Sequence, residues 1–203
     1  RIVSCHLGAG GSVAAIDRGR SVDTSMGFTP LEGLVMATRP GDVDAGVLLK
    51  LLRDAALAPA ELEDLLNRRS GLQALAGTPD MAQVERRAAA GDARCALALD
   101  VYVHRLRRYL GAMVAVMDGV DAIAFTGGIG EHSATVRARV CEGLGWLGAQ
   151  LDPRRNAGAV VTPQDPVATI SLSPVSPPAG PPGTTSFRPA PARGGAVTLL
   201  VVA

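Results

Sequence analysis

Two glycine-rich stretches carry residue types that can hold an anion: "CHLGAGGS", Cys5 to Ser12, and "TGGIGEHS", Thr126 to Ser133. Glycines permit positive φ and let backbone N–H groups approach a ligand closely, which is how phosphate is cradled. The first stretch lies between two short strand-like runs, so on spacing alone a tight turn explains it better than a site. The second follows the apolar run Val120–Phe125 and precedes a helical pattern from Ala134 to Leu144. Strand, glycine loop, helix is the order that aims amides and a helix dipole at an anion. Its Gly127-Gly128-x-Gly130 spacing is not a dinucleotide fingerprint, because Ser133 stands where the third glycine belongs. It also lacks the G-K-[ST] ending of a P-loop. Asp152 lies at a tempting distance downstream, but Asp152-Pro153 reads as a turn rather than a strand end.

Arg39, in "ATRPGDVD", is a planar cation. Beside a phosphate loop such a group offsets charge building on a transferring phosphoryl group; in an ordinary loop it is only a solvated charge. Asp42 and Asp44 are either helix caps, the commoner role, or partners for that arginine. His6, His104 and His132 have no evident nucleophile partner, and no metal-binding spacing of the H-E-x-x-H kind occurs. Cys5, Cys95 and Cys141 are odd in number and far apart. That argues against a disulfide framework or a zinc site and fits small buried residues in a reducing compartment.

The chain has 203 residues, enough for one sizeable core or two small ones. Apolar residues make up 47% but aromatics only 3%, so the core must be built from Ala, Val, Leu and Ile. A net charge of +1 gives no electrostatic case for nucleic acid or a membrane surface. Without a signal peptide or an apolar run of spanning length, a cytoplasmic location is the expectation. The chain starts at Arg1, directly on a strand pattern, and so reads as a piece of something longer.

The elements that must position these residues follow from periodicity. Ile2–Cys5, Val13–Ile16 and Arg20–Thr24 read as strands, the last two as a hairpin around Asp17-Arg18-Gly19. Pro30–Ala37 reads as one or two helical turns, broken by Pro40-Gly41. Asp42 or Asp44 then caps a helix carrying Val47, Leu48, Leu51 and Leu52, and Pro59 starts another that ends near Gly71. Met81–Ala90 is a short charged helix. Asp92 caps a long one to about Met117, with Leu99, Val103, Leu106, Leu110, Met113 and Met117 as its buried stripe and Arg105 and Arg108 facing water. From residue 157 the character changes. Nine of the 14 prolines lie in 157–203, so disorder or extended structure is expected there, with only the final "AVTLLVVA" strand-like. The residues alone therefore reach an α/β domain with two glycine loops suited to phosphate, a nucleotide above all, and name no reaction.

Taken together, Cys5–Asp44, "LNRRSGL", "LALDVYVHRLRRYLGAM" and "FTGGIGEHSATVRARVCEGLGWLG" (Phe125–Gly148) resemble the acetate kinase family almost continuously over residues 1–156. The resemblance implies a phosphotransferase that moves the γ-phosphoryl group of ATP to acetate with Mg²⁺, giving acetyl phosphate and ADP. It implies an α/β fold of the actin/hexokinase/Hsp70-like (ribonuclease H-like) class, present here incompletely. Residues 1–156 would be the C-terminal, nucleotide-side domain, and 157–203 a disordered or non-native tail of the kind out-of-frame translation produces. A homodimer is expected, with no nucleic acid or membrane partner. By the same resemblance His6, Leu7, Gly8, Ala9 and Gly10 hold phosphates, Asp80, Met81 and Ala82 contact adenosine, and Gly128, Ile129, Gly130, Glu131 and His132 lie along the nucleotide. Arg39 would stabilise the transition state. The chain departs from the family pattern at Ala9 and His132, where asparagine is usual, and at Ala82, where arginine is usual. The family's acetate-handling residues precede the matched region and its Mg²⁺-linked glutamate follows it, so the main metal ligands are expected outside this chain, and the chain alone is expected to be inactive. Two other readings stay open: a catalytically silent nucleotide-binding module, and a kinase for propionate or another short-chain acid.

Overall fold

The computed structural model describes residues 1–147, 149–159, 167–174 and 197–202. The chain opens on three strands, β1 (Ile2–Leu7), β2 (Gly11–Asp17) and β3 (Arg20–Thr24). β1 and β2 show the period of two expected of a sheet with one dry face: Val3, Cys5, Leu7, Val13 and Ala15 are all fully buried. β2 pairs antiparallel with both neighbours. Arg18 and Gly19 make the β2–β3 turn with positive φ at both positions, the backbone that a two-residue hairpin requires. β3 is exposed along its length.

The helical turns expected over Pro30–Ala37 do not form; bends and turns replace them. Leu34, Val35 and Met36 are consecutive and all buried, which no single helix face allows. Their backbone is satisfied from outside: Ala37 N donates to Ala9 O, and Leu72 N donates to Met36 O. Helices α1 (Ala45–Asp54), α2 (Pro59–Arg68), α3 (Gly71–Ala76), α4 (Met81–Ala89) and α5 (Ala93–Val116) follow. Asp44 caps α1. None of that helix's residues is buried, the expected apolar set Val47, Leu48, Leu51 and Leu52 included. The helix from Pro59 stops at Arg68, and Gly71 opens α3 rather than ending α2. α5 and its C-cap Met117 bury the expected stripe, and α5 also buries Cys95, Ala98, Tyr102 and Val114. Arg108 is exposed, but Arg105 is turned inward onto Asp42, 2.9 Å away, instead of facing water.

β4 (Ala122–Thr126) lies parallel to β1 and leads into α6 (Gly127–His132) and α7 (Ala134–Glu142). The second glycine stretch is thus a short helix, not an open loop. β5 (Ala149–Leu151) precedes α8 (Pro153–Ala157), whose N-cap is Asp152. Asp152 therefore does follow a strand, and its carboxylate caps a helix. β6 (Val167–Pro174) and β7 (Thr198–Val202) complete a sheet of order β3-β2-β1-β4-β7-β6-β5. β7 is the strand expected at the C-terminus, paired parallel with β4, whereas β6 was not expected as a strand. Residues 160–166 and 175–196 of the expected tail lie outside the described residues. The three cysteines are free and buried. Among the described residues no helix is long and apolar enough to cross a membrane.

Candidate functional site

The two glycine stretches are brought together by strand pairing. β1 and β4 are parallel neighbours in register His6 to Thr126, so both stretches leave the sheet at its carboxyl ends, where ligands bind in open α/β sheets. His6 Nδ1 and Thr126 Oγ1 are 2.8 Å apart and tie the two strand ends side to side. Gly8 N donates to Gly10 O at 2.8 Å, closing the first turn. Gly127 has φ +75, and a β-carbon there would stand 2.8 Å from Leu7 O and 3.1 Å from His6 Cε1. Glycine is what lets the second stretch pass this close to the first.

Beside them opens a cleft of about 470 Å³. It brings together eight residues expected from the sequence: Gly8, Ala9, Asp80, Met81, Ala82, Gly128, Ile129 and His132. His6, Leu7, Gly10, Gly130 and Glu131 do not line it; the Leu7 side chain is wholly in the core and Gly130 is buried within α6. Pro79, Glu85 and Ser133 line it and were not anticipated. A signal for Glu85 was present, since it follows Met81 by four residues on α4 and shares its face. The Asp80 carboxylate accepts from Ala82 N at 3.0 Å and so caps α4 at the rim of the cleft. Ser133 Oγ caps α7 by accepting from Val136 N at 2.9 Å and donates to Glu85 Oε1, joining the walls formed by α4 and α6–α7.

Arg137 fixes the back of α6. Its side chain is 1% exposed, and Nη1 donates to Gly130 O at 2.8 Å and Glu131 O at 2.7 Å. Nε donates to Asn156 Oδ1 at 2.8 Å and Nη2 to Asn156 O at 2.9 Å. Burial lowers the affinity of this guanidinium for its proton, partly offset by the nearby Cys141 and Glu85.

Arg39 approaches from the other side. A β-carbon on Gly10 would stand 3.6 Å from Arg39 Nη1, so the guanidinium lies against the first glycine stretch. Nη1 also donates to Pro30 O at 3.2 Å. The loop that carries it is clasped at its base. Gly33 N donates to Asp42 Oδ1 at 2.9 Å, and Asp42 N donates back to Gly33 O at 3.1 Å. Tyr109 Oη donates to Asp42 Oδ1 at 2.8 Å, while Arg105 Nη1 pairs with Asp42 Oδ2 at 2.9 Å. Burial, and then the bond to Asp42, push the Tyr109 phenol up to about 12. Of the two aspartates, then, Asp44 caps and Asp42 holds Arg105 rather than Arg39. Gly71, at φ +58, lets α3 begin directly beneath this loop, where a β-carbon would strike Met36 O. Among the described residues no three His, Cys, Asp or Glu side chains gather as a metal site.

The chain is similar to known proteins in sequence and in fold. A model of the acetokinase family matches residues 1–176, which carries the likeness past residue 156 and through β6. The acetate kinase of Heliobacterium modesticaldum is 52% identical over 159 residues, covering 78% of this chain and 40% of its own length. The acetate kinase structure from Porphyromonas gingivalis superposes with a TM-score of 0.81 at 35% identity, over 100% of this chain and 45% of that one. A propionate kinase from Francisella tularensis gives a TM-score of 0.81 at 31% identity, covering 99% and 45%. The chain thus spans about two fifths of the curated relative's length, and its fold is the actin/hexokinase/Hsp70-like one expected from the sequence. With its family match running from Arg1 through the paired glycine stretches, the Arg39 loop and the cleft, the chain belongs to the acetokinase family.

Proposed function

We propose that this chain is the nucleotide-side part of a phosphotransferase that moves the γ-phosphoryl group of ATP to acetate or another short-chain acid. One observation carries the reading: two glycine stretches meet at the carboxyl ends of parallel strands β1 and β4, with Arg39 against the first of them. Phosphoryl transfer asks little covalent chemistry of a protein; it asks for in-line positioning and charge neutralisation. In this reading the backbone of His6 to Gly10 faces the phosphates, and Asp80 to Ala82 lie along the nucleoside. Gly128 to His132 form the opposite wall. Arg39 supplies positive charge where the phosphoryl group is in transit. Mg²⁺ would neutralise phosphate charge in the complete enzyme, but the described side chains do not form a site for it, so no step here is assigned to metal. The likeness to both an acetate kinase and a propionate kinase supports a short-chain acid as acceptor without choosing its length. A homodimer and a cytoplasmic setting complete the proposal.

Calorimetric titration of the chain with ADP and ATP tests this directly. Saturable binding is expected, with no acyl phosphate formed from acetate or propionate by the chain alone. No binding of either nucleotide would refute the nucleotide reading, and turnover by the chain alone would refute its dependence on the rest of an enzyme.

A further inference from the structure

Inside the cleft one carboxylate oxygen is unspoken for. Glu85 is half-buried on α4 and lines the cavity. Its Oε1 accepts from Ser133 Oγ, while Oε2 has no protein partner among the described residues. The other two ionisable groups on the lining, Asp80 and His132, are exposed at the rim. Around Glu85 the lining is apolar or glycine: Ala9, Met81, Ala82, Gly128 and Ile129. A ligand filling the cleft would strip water from that oxygen, which is costly unless the ligand brings a donor to it.

We propose that Glu85 reads the sugar of the bound nucleotide, its Oε2 accepting a hydrogen bond from a ribose hydroxyl while Ser133 holds Oε1. This rests on the nucleotide reading above and assigns a residue within it. Charge decides against the phosphates as partner, since a carboxylate repels them and the glycine stretches receive them. The base matches the apolar Met81, Ala82 and Ile129. Between base and phosphate lies the ribose, whose hydroxyls are donors, and a carboxylate on a ribose hydroxyl is a pairing that dinucleotide sites also use. Glu85 would therefore be a specificity residue, selecting ribonucleotides over deoxyribonucleotides.

The test is calorimetric titration of the chain and of Glu85→Gln with ADP, 2′-deoxy-ADP, 3′-deoxy-ADP and inosine diphosphate. Glutamine keeps the acceptor for Ser133 and turns an amide NH₂ into the cleft, which cannot accept. The wild-type chain should bind at least one deoxy analogue roughly tenfold or more weakly than ADP, the scale of a charge-assisted hydrogen bond. E85Q should lose a similar factor for ADP and no longer distinguish that analogue, with an unchanged melting profile. Equal wild-type affinity for ADP and both deoxy analogues overturns the proposal, whether or not E85Q folds. So does discrimination kept in E85Q, or an E85Q loss confined to ADP against inosine diphosphate, which would place Glu85 on the base. Absence of ADP binding by the wild-type chain would instead remove the nucleotide reading itself.

Discussion

Arg137 keeps a full positive charge at 1% exposure with no carboxylate among its hydrogen-bond partners in the described residues. Carbonyl oxygens of Gly130, Glu131 and Asn156 and the side-chain oxygen of Asn156 share that charge. Two of those carbonyls belong to the last turn of α6, so the residue supports the wall of the cleft from behind. Replacing it with methionine fills the space but strands the carbonyls. Equilibrium urea unfolding of Arg137→Met should show a loss of at least about 1–3 kcal/mol, the cost of stranding even one buried acceptor. Arg137→Lys, which retains charge but not the fork of donors, should lose less. Equal losses in the two variants would mean that a retained charge recovers nothing without the fork of donors. At this scale the sequence reading was uneven. Gly8, Ala9, Asp80 and Gly128 were legible because they belong to long motifs. Beyond the helical spacing that puts Glu85 on the Met81 face of α4, Glu85 and Ser133 were harder to pick out, because what joins them is a contact between residues 48 positions apart.

The long helix α5 was legible nearly to its ends, because a cap and a periodic apolar stripe are local signals. Asp92 caps it by accepting from Arg94 N at 3.0 Å and Cys95 N at 3.2 Å, and pairs with Arg87 at 2.6 Å. The backbone bond at Cys95 and then the Arg87 guanidinium hold its carboxyl at about 2, below the ordinary 3.8. A carboxyl depressed in the folded state binds its proton less readily there than when unfolded. Its stabilising contribution is complete above the unfolded value and is lost as pH falls toward about 2. Asp92→Asn retains a capping oxygen but cannot titrate. Between pH 4 and pH 2 the wild-type melting temperature should therefore fall more steeply than that of D92N; parallel curves would show that Asp92 is not part of the acid response. Elements held by distant partners were harder to read. Residues 30–37 look helical in composition, yet their backbone bonds go to Ala9, Arg39, Leu72 and Gln73. Arg105 looks solvent-facing on its own helix, yet it is drawn in by an aspartate 63 residues earlier.

The sheet as a whole joins the two ends of the chain. β7 enters beside β4, and β4 beside β1, so residues 198–202 lie two strands from residues 2–7. Leu199 and Val201 are fully buried there, and Val197 is 2% exposed. Both pairings are parallel and distant in sequence, so their loop-closure entropy must be overcome before any contact at the centre of the sheet rewards it. β6 and β7 thus matter more to the fold than the proline-rich composition around them suggests, although the match with the family takes in β6 and ends at residue 176, before β7. Leu199→Ala should destabilise the chain by about 2–5 kcal/mol in urea, as for other large-to-small changes in a core. Ending the chain after Pro174 should do more. It removes the strand beside β4, leaving that strand's hydrogen-bonding edge open and Phe125 and Ile123 without their neighbours on β7. The truncated chain should lose its sharp unfolding transition and bind a dye for exposed apolar surface. A transition as steep as that of the full 203 residues would show instead that the sheet is complete without its last strand.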